Sequence, residues 1–172
     1  MQIESQRIIL RPWKETDVDE LATLANNRKI ADNLRDGFPF PYELENARDF
    51  VQMAINAKRD LLFAVETEGR LAGGCGIMFK TDVYRKNVEI GYWLGEPFWG
   101  KGYATEMICG LRDYIFSKLD IVRIYAEPYA DNIGSRRALE KAGFNCEAVF
   151  KNNVFKNNVL KDSCIYSILQ EK

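Results

Sequence analysis

A single α/β domain with a mixed sheet is the fold class this chain predicts, on three observations. Strand-length apolar runs and segments with an apolar stripe at helical spacing follow one another along the chain. Turn residues separate them at short intervals. No linker, repeat or break in composition divides the 172 residues, a length that buries a core without disulfides or metals.

Residues 3–13 read as a first strand with Arg7, Ile8, Ile9, Leu10 and Arg11 at its centre. Thr16 stands where it can cap a helix over about 16–27: Val18, Leu21, Leu24 and Ala25 share a face. Asp17, Asp19 and Glu20 fall in the first turn, where the helix dipole favours acids. Gly37-Phe38-Pro39-Phe40-Pro41 is a rigid aromatic loop. A second helix over about 43–58 gathers Ala47, Phe50, Val51, Ala54 and Ile55 on one side. The period then changes to that of strands at 61–67, 71–79 and 88–94, with Glu68-Gly69 as the first turn. Gly95 to Gly102 form a glycine-rich loop opening into a helix over about 103–118, whose buried stripe is Ala104, Met107, Ile108, Leu111 and Ile115. A strand at 121–127, a helix at 132–142 stopped by Gly143, and strands at 144–150 and 160–169 complete the chain. Asn157-Asn158 suggests a tight turn between the last two.

Composition removes several function classes. With 24 basic and 25 acidic residues the net charge is −1, so no bias towards nucleic acid or an acidic membrane is written into the total. Cys75, Cys109, Cys146 and Cys164 form no Cys-x-x-Cys pair, which argues against a zinc site or disulfide framework and for reduced thiols in a cytoplasmic protein. The first ten residues carry Glu4 and Arg7, unlike a signal peptide. No apolar run approaches the ~20 residues that span a bilayer. The chain has no histidine, which excludes Ser-His-Asp, Cys-His and His-ligated metal mechanisms. Proton transfer is left to carboxylates, hydroxyls, lysine, thiols or water.

The chemistry points to Glu89-Ile-Gly-Tyr-Trp-Leu-Gly-Glu-Pro-Phe-Trp-Gly-Lys-Gly-Tyr-Ala-Thr-Glu106. Here a strand ends, glycines follow and a strong helix begins at once. Free amides at a helix start, aimed along its dipole, bind phosphate or pyrophosphate. Gly100 and Gly102 let the backbone approach an anion that a Cβ would keep away. An ordinary strand-to-helix turn needing positive φ reads the same way. A Walker A loop fails because Gly102, not Ser or Thr, follows Lys101. A dinucleotide fingerprint fails because Thr105 stands at its sixth position.

Trp99-Gly-Lys-Gly-Tyr-Ala104 resembles the acyl-CoA pyrophosphate loop of the GNAT acetyltransferase superfamily, whose usual pattern is Gln/Arg-x-x-Gly-x-Gly/Ala. Arg7-Ile-Ile-Leu-Arg-Pro12, Glu89-Ile-Gly-Tyr-Trp-Leu94, Asn132-Ile-Gly-Ser135 and Leu139-Glu-Lys-Ala-Gly-Phe144 are similar to the RimJ/RimL-like, ribosomal-protein N-acetyltransferase branch. The likeness runs from about Gln6 to Leu169, with Trp99 at the usual Gln/Arg position as a departure. It implies one acyl-CoA N-acyltransferase domain over residues 1–172, α+β, with a mixed, mostly antiparallel sheet flanked by helices.

The resemblance also implies a reaction: a primary amine, of a protein N-terminus or a small molecule, attacks acetyl-CoA directly, with no metal. Tyr92, Trp93 and Leu94 would pair with the pantetheine arm as an added strand. The amides of Gly100, Lys101, Gly102, Tyr103, Ala104 and Thr105 would take the pyrophosphate, and Asn132 would be a helix cap and a CoA contact together. Glu89 is the expected base, directly or through water, with burial raising its pKa towards neutrality. Against this stands a plain salt-bridged carboxylate. Relatives place an acid tyrosine where this chain has Leu139, so Ser135 is the expected hydroxyl beside the CoA sulfur, or else a small packing residue. A second carboxylate of some relatives would fall near Val154, which cannot serve. Phe38, Phe40, Tyr42 and Tyr84 would border the acceptor, and Arg136, Arg137 and Lys141 would face outward. Monomer or homodimer is the expected state, without nucleic-acid or membrane partners. The alternative reading is an acyl-CoA-binding sensor or scaffold without turnover.

Overall fold

Residues 1–170 are described, in a computed structural model. The chain runs β1 (Ile3–Glu4), β2 (Ile9–Pro12), α1 (Val18–Ala25), α2 (Arg28–Ala31), α3 (Leu44–Asn56), β3 (Leu61–Thr67), β4 (Arg70–Phe79), β5 (Asn87–Leu94), α4 (Tyr103–Lys118), β6 (Arg123–Ala126), α5 (Ile133–Lys141), β7 (Asn145–Lys156) and β8 (Val159–Leu169). The strands form one sheet in the order β1-β2-β3-β4-β5-β6-β8-β7. Every neighbouring pair is antiparallel except β5 and β6. That exception follows from α4, whose crossover returns the chain in the direction it left.

Side-chain alternation gives the sheet two apolar faces. Val88, Ile90 and Ile124 meet Met107, Ile108, Leu111 and Ile115 of α4 and Leu139 of α5 on one. Trp13, Leu21, Ala25, Ala47, Val51 and the partly buried Trp93 cluster under α1 and α3 on the other. Each fully buried aliphatic side chain stabilises by about 1.5–3 kcal/mol, so burial against the sheet holds both helical layers.

The structure departs from the sequence expectations in four places. The first strand is two, because Ser5 N–H bonds Ile8 O at 3.0 Å and turns the chain. Thr16 caps nothing: a one-turn 3-10 helix (Glu15–Asp17) leads into α1, and the buried Asp17 carboxylate takes two hydrogen bonds from Arg11 instead. The short α2 was not expected; Asn27 caps it by accepting the Lys29 N–H at 2.9 Å. Finally, β7 continues to Lys156, bent by a register shift between Phe150 and Val154. Asn157 and Asn158, at φ 52° and 61°, make the two-residue turn to β8.

Candidate active site

β5 and β6 are partners only at Asn87–Arg123, Val88–Ile124 and Glu89–Tyr125. Beyond Glu89, β5 stays with β4 as far as Leu94, whereas Ala126 pairs only with Tyr166 of β8. Bonds from Lys80 N–H to Asn87 O and from Gly95 N–H to Ala72 O frame the β4–β5 ladder. They put the odd-numbered peptide groups of β5 on the β4 side, and so those of Ile90, Tyr92 and Leu94 on the parted side. Trp93 therefore differs from expectation: its peptide belongs to the β4 ladder opposite Gly74, and only its side chain reaches the cleft. The Leu94 carbonyl already accepts the Trp99 indole N–H at 2.7 Å.

A cleft of about 1330 Å³ opens at the parting. Pockets for one drug-sized molecule hold roughly 300–1,000 Å³, so this one has room for two substrates at once. On the β4 and β5 surface Gly74, Gly76 and Gly91 make room for larger neighbours: Trp13 and Trp93 lie over Gly74, Leu62 over Gly76 and Met78 over Gly91.

The glycine-rich loop closes one end. After a 3-10 turn (Glu96–Phe98), Gly100 and Gly102 adopt φ 74° and 83°, the left-handed region that favours glycine. The first helical bond of α4 runs from Glu106 N–H to Gly102 O. Among the described residues, the N–H groups of Gly100, Lys101, Gly102, Tyr103, Ala104 and Thr105 have no backbone partner. Arg7 braces this loop from the β1–β2 turn, a contact the sequence did not suggest. Its guanidinium donates to Lys101 O at 3.0 Å, pairs with Glu106 at 2.8 Å and lies 4.8 Å from the centre of the Tyr103 ring. Ser5 and the Arg7 N–H also donate to Glu106. Burial pushes the Glu106 carboxyl up, but these bonds and the Arg7 charge outweigh it and hold it below the ordinary value.

Glu89 is buried on the α1–α3 face of the sheet, 8% exposed. Arg35 reaches its Oε1 at 2.6 Å and Lys80 its Oε2 at 2.8 Å. Burial alone raises the carboxyl, as expected from the sequence, but the Lys80 and Arg35 hydrogen bonds and charges outweigh it. The net shift is downward, which corrects the expectation of a base near neutrality. Phe38 and Tyr42 (ring centres 4.8 Å apart) and Trp93 (5.5 Å from Phe38) form the apolar wall beside it. Phe40 is exposed, and neither it nor Tyr84 lines the cleft, contrary to expectation.

On the opposite face, Asn132 caps α5 by accepting the Ser135 N–H at 3.2 Å. The Ser135 hydroxyl lies 2.8 Å from the Tyr92 hydroxyl. Tyr92, considered from the sequence only for its backbone, thus supplies a phenol where α5 has Leu139, fully buried in the core. Burial pushes this phenol well up, and the bond to Ser135 opposes it. Arg136 does not face outward: it donates to the Tyr166 hydroxyl and the Ala130 carbonyl. Arg137 and Lys141 are exposed along the cleft. Cys75 also faces the cleft, and burial pushes its thiol far up, so it stays protonated.

Known proteins share this fold. Residues 7–145 match the family described as acetyltransferase (GNAT) domain. The chain is 29% identical to an uncharacterized N-acetyltransferase, p20, of Bacillus licheniformis, over 98% of this chain and 96% of that one. It is 27% identical to the spermidine N(1)-acetyltransferase of Escherichia coli K12, over 80% and 73%. A GNAT-family acetyltransferase structure from Bacillus anthracis superposes with a TM-score of 0.86 at 25% identity, covering 98% of both chains. The fold is also that of RimL, a ribosomal L7/L12 acetyltransferase solved with coenzyme A, at TM-score 0.87 and 23% identity over 98% of both chains. A parted strand pair, an amide-lined helix start between them and a family match over most of the length agree: the chain belongs to the GNAT acetyltransferase family and is an acyltransferase enzyme.

Proposed function

We propose that the protein transfers the acetyl group of acetyl-CoA to a primary amine, of a small molecule or a protein N-terminus, by direct attack in a ternary complex. One observation carries the reading. Gly100, Gly102, Tyr103, Ala104 and Thr105, whose amides are unpartnered, and the parted edge of β5 line the same cleft, which Lys101 does not. A diphosphate on the first and an amide-bearing pantetheine along the second would bring the thioester between Glu89 on one face and Ser135 on the other.

The amine nitrogen attacks the thioester carbonyl, the C–S bond breaks, and coenzyme A leaves as its thiol. Direct attack is favoured over an acyl-enzyme because Cys75, the thiol lining the cleft, is held protonated by burial. With its lowered pKa, Glu89 is ionised at neutral pH. In that state it can take a proton, through water, from the positively charged nitrogen that addition creates, a far stronger acid than the free ammonium. With the thioester so placed, the Tyr92–Ser135 hydroxyl pair, 2.8 Å apart, would hydrogen-bond the departing thiolate while solvent supplies the proton. Polarisation of the carbonyl falls to free peptide groups of β5.

Thiol release from acetyl-CoA, screened against an amine panel with products read by mass spectrometry, tests the reading. Acetylation of at least one amine is expected. Binding of acetyl-CoA with no acetylation of any amine would favour the sensor or scaffold alternative.

A further inference from the structure

From the cleft we infer that Glu127 is the anionic contact for the incoming acceptor's ammonium group, an inference that rests on the acetyl-transfer reading above. Glu127 follows β6 and lines the cleft, half-buried, as its strand leaves β5. Ile124 and Ala126 point into the α4–α5 core, so Tyr125 and Glu127 share the other face with Glu89, to which the Tyr125 hydroxyl donates at 3.4 Å. Continuing the β5–β6 register beyond Glu89–Tyr125 sets Glu127 level with Gly91, where β5 has no side chain. The flexible end of Met78 lies over Gly91, 3.2 Å from where a Cβ would stand, so an amine between Glu89 and Trp93 need move only that methyl and no side chain of β5.

The two carboxylates of this face differ in what already holds them. Both Glu89 oxygens are occupied by cations, Arg35 and Lys80. Glu127 has no salt bridge among the described residues. Only its Oε1 is engaged, by the neutral donors Ser163 (2.8 Å) and Asn153 (3.1 Å) of the β7–β8 hairpin. Those bonds fix the side chain and leave Oε2 and the full negative charge for a ligand. A cationic donor in a half-buried cleft is the partner such a group lacks, and charge-assisted bonds of this kind are about twice as strong as neutral ones.

Glu127→Gln is the decisive variant, because an amide oxygen keeps both hairpin bonds while the charge is lost. The panel is spermidine, 2-phenylethylamine and a pentapeptide with a free N-terminal alanine, each assayed by thiol release. For every amine that the wild type acetylates, the variant should raise the amine KM about ten- to a hundredfold. The bound ammonium gives one proton to solvent before its nitrogen attacks, and addition restores the positive charge beside Glu127, so kcat should change by less than about threefold. The acetyl-CoA KM and the Tm should match wild type, and Glu127→Asp should recover part of the amine affinity. An amine KM within about twofold of wild type overturns the inference and leaves acetyl transfer standing. Equal losses in amine KM, acetyl-CoA KM and Tm also overturn it, as a structural role. No acetylation of any panel amine by the wild type overturns it together with the reading it rests on.

Discussion

Gly102 lets the anion-binding loop be probed without touching a charge. It sits at φ 83° and ψ −1°, where an L-residue costs about 1–2 kcal/mol. A Cβ added there meets only the Arg7 guanidinium, at 3.4 Å. That is the yielding end of a long side chain, so backbone strain dominates over contact. Gly102→Ala should lose about 1–2 kcal/mol, a fall in Tm of roughly 2–8 °C for a domain of this size. Gly100→Ala, at φ 74° with nothing within 4 Å of the new methyl, should lose a similar amount. Ligand then separates strain from binding. Acetyl-CoA at about 100 times its Kd should stabilise the wild type by ~2.7 kcal/mol, roughly 5–11 °C. If the methyl holds the diphosphate off the amides and weakens binding about tenfold, the same concentration stabilises by ~1.3 kcal/mol less, roughly 3–5 °C. Thermal scanning with and without acetyl-CoA reads both quantities. An unchanged Tm in the absence of ligand refutes the strain argument, and undiminished ligand shifts in both variants refute the loop as the anion site.

Three further substitutions test the rest of the cleft. Glu89→Gln should slow amine acetylation while leaving the acetyl-CoA thermal shift intact. Because the Glu89 pKa is lowered on folding, its stabilisation is present above the unfolded value of about 4.3 and is lost as pH falls through the folded one. The Tm gap between wild type and Glu89→Gln should therefore be constant from about pH 6 to 8 and close below about pH 4; a gap that opens only above neutrality contradicts the ion-pair account. Arg7→Gln, at a side chain 48% exposed, should cost no more than about 1 kcal/mol yet raise the acetyl-CoA KM several-fold, because the brace on Lys101 O is lost. Tyr92→Phe should lower kcat on the order of ten- to a hundredfold with both KM values held, and wild-type kcat would remove the hydroxyl pair from the mechanism.

The sequence spoke clearly where period and punctuation agreed. Strands β3, β4 and β5 are short apolar runs bounded by turn residues, and α4 begins at Tyr103 because two glycines precede it. The N-terminal strand misled because the local turn from Ser5 to Ile8 carries no glycine or proline to announce it, and it is held in place by Glu106, about a hundred residues away. Helix α2 is a single turn, too short to display a period, and β7 runs through Asn152-Asn153, residues that ordinarily end strands.

Within the cleft, backbone roles were easier to read than electrostatic ones. Amides at a helix start follow from local sequence, whereas the downward pull on the Glu89 carboxyl comes from Lys80 and from Arg35, 54 positions away. Tyr92 shows the same limit: strand alternation could have aimed its hydroxyl at the α5 face, but only the fold brings Ser135 within 2.8 Å. Glu127 was hidden among ordinary strand-end carboxylates, distinguished only by lacking a cation.

A crystal structure of the full chain with acetyl-CoA addresses the central claim most directly. The account requires the diphosphate oxygens to lie within hydrogen-bonding distance of the amides between Gly100 and Thr105, with the pantetheine arm along Ile90 to Leu94 in the gap beside β6. A nucleotide bound on another surface, or a pantetheine that leaves that gap empty, would contradict it.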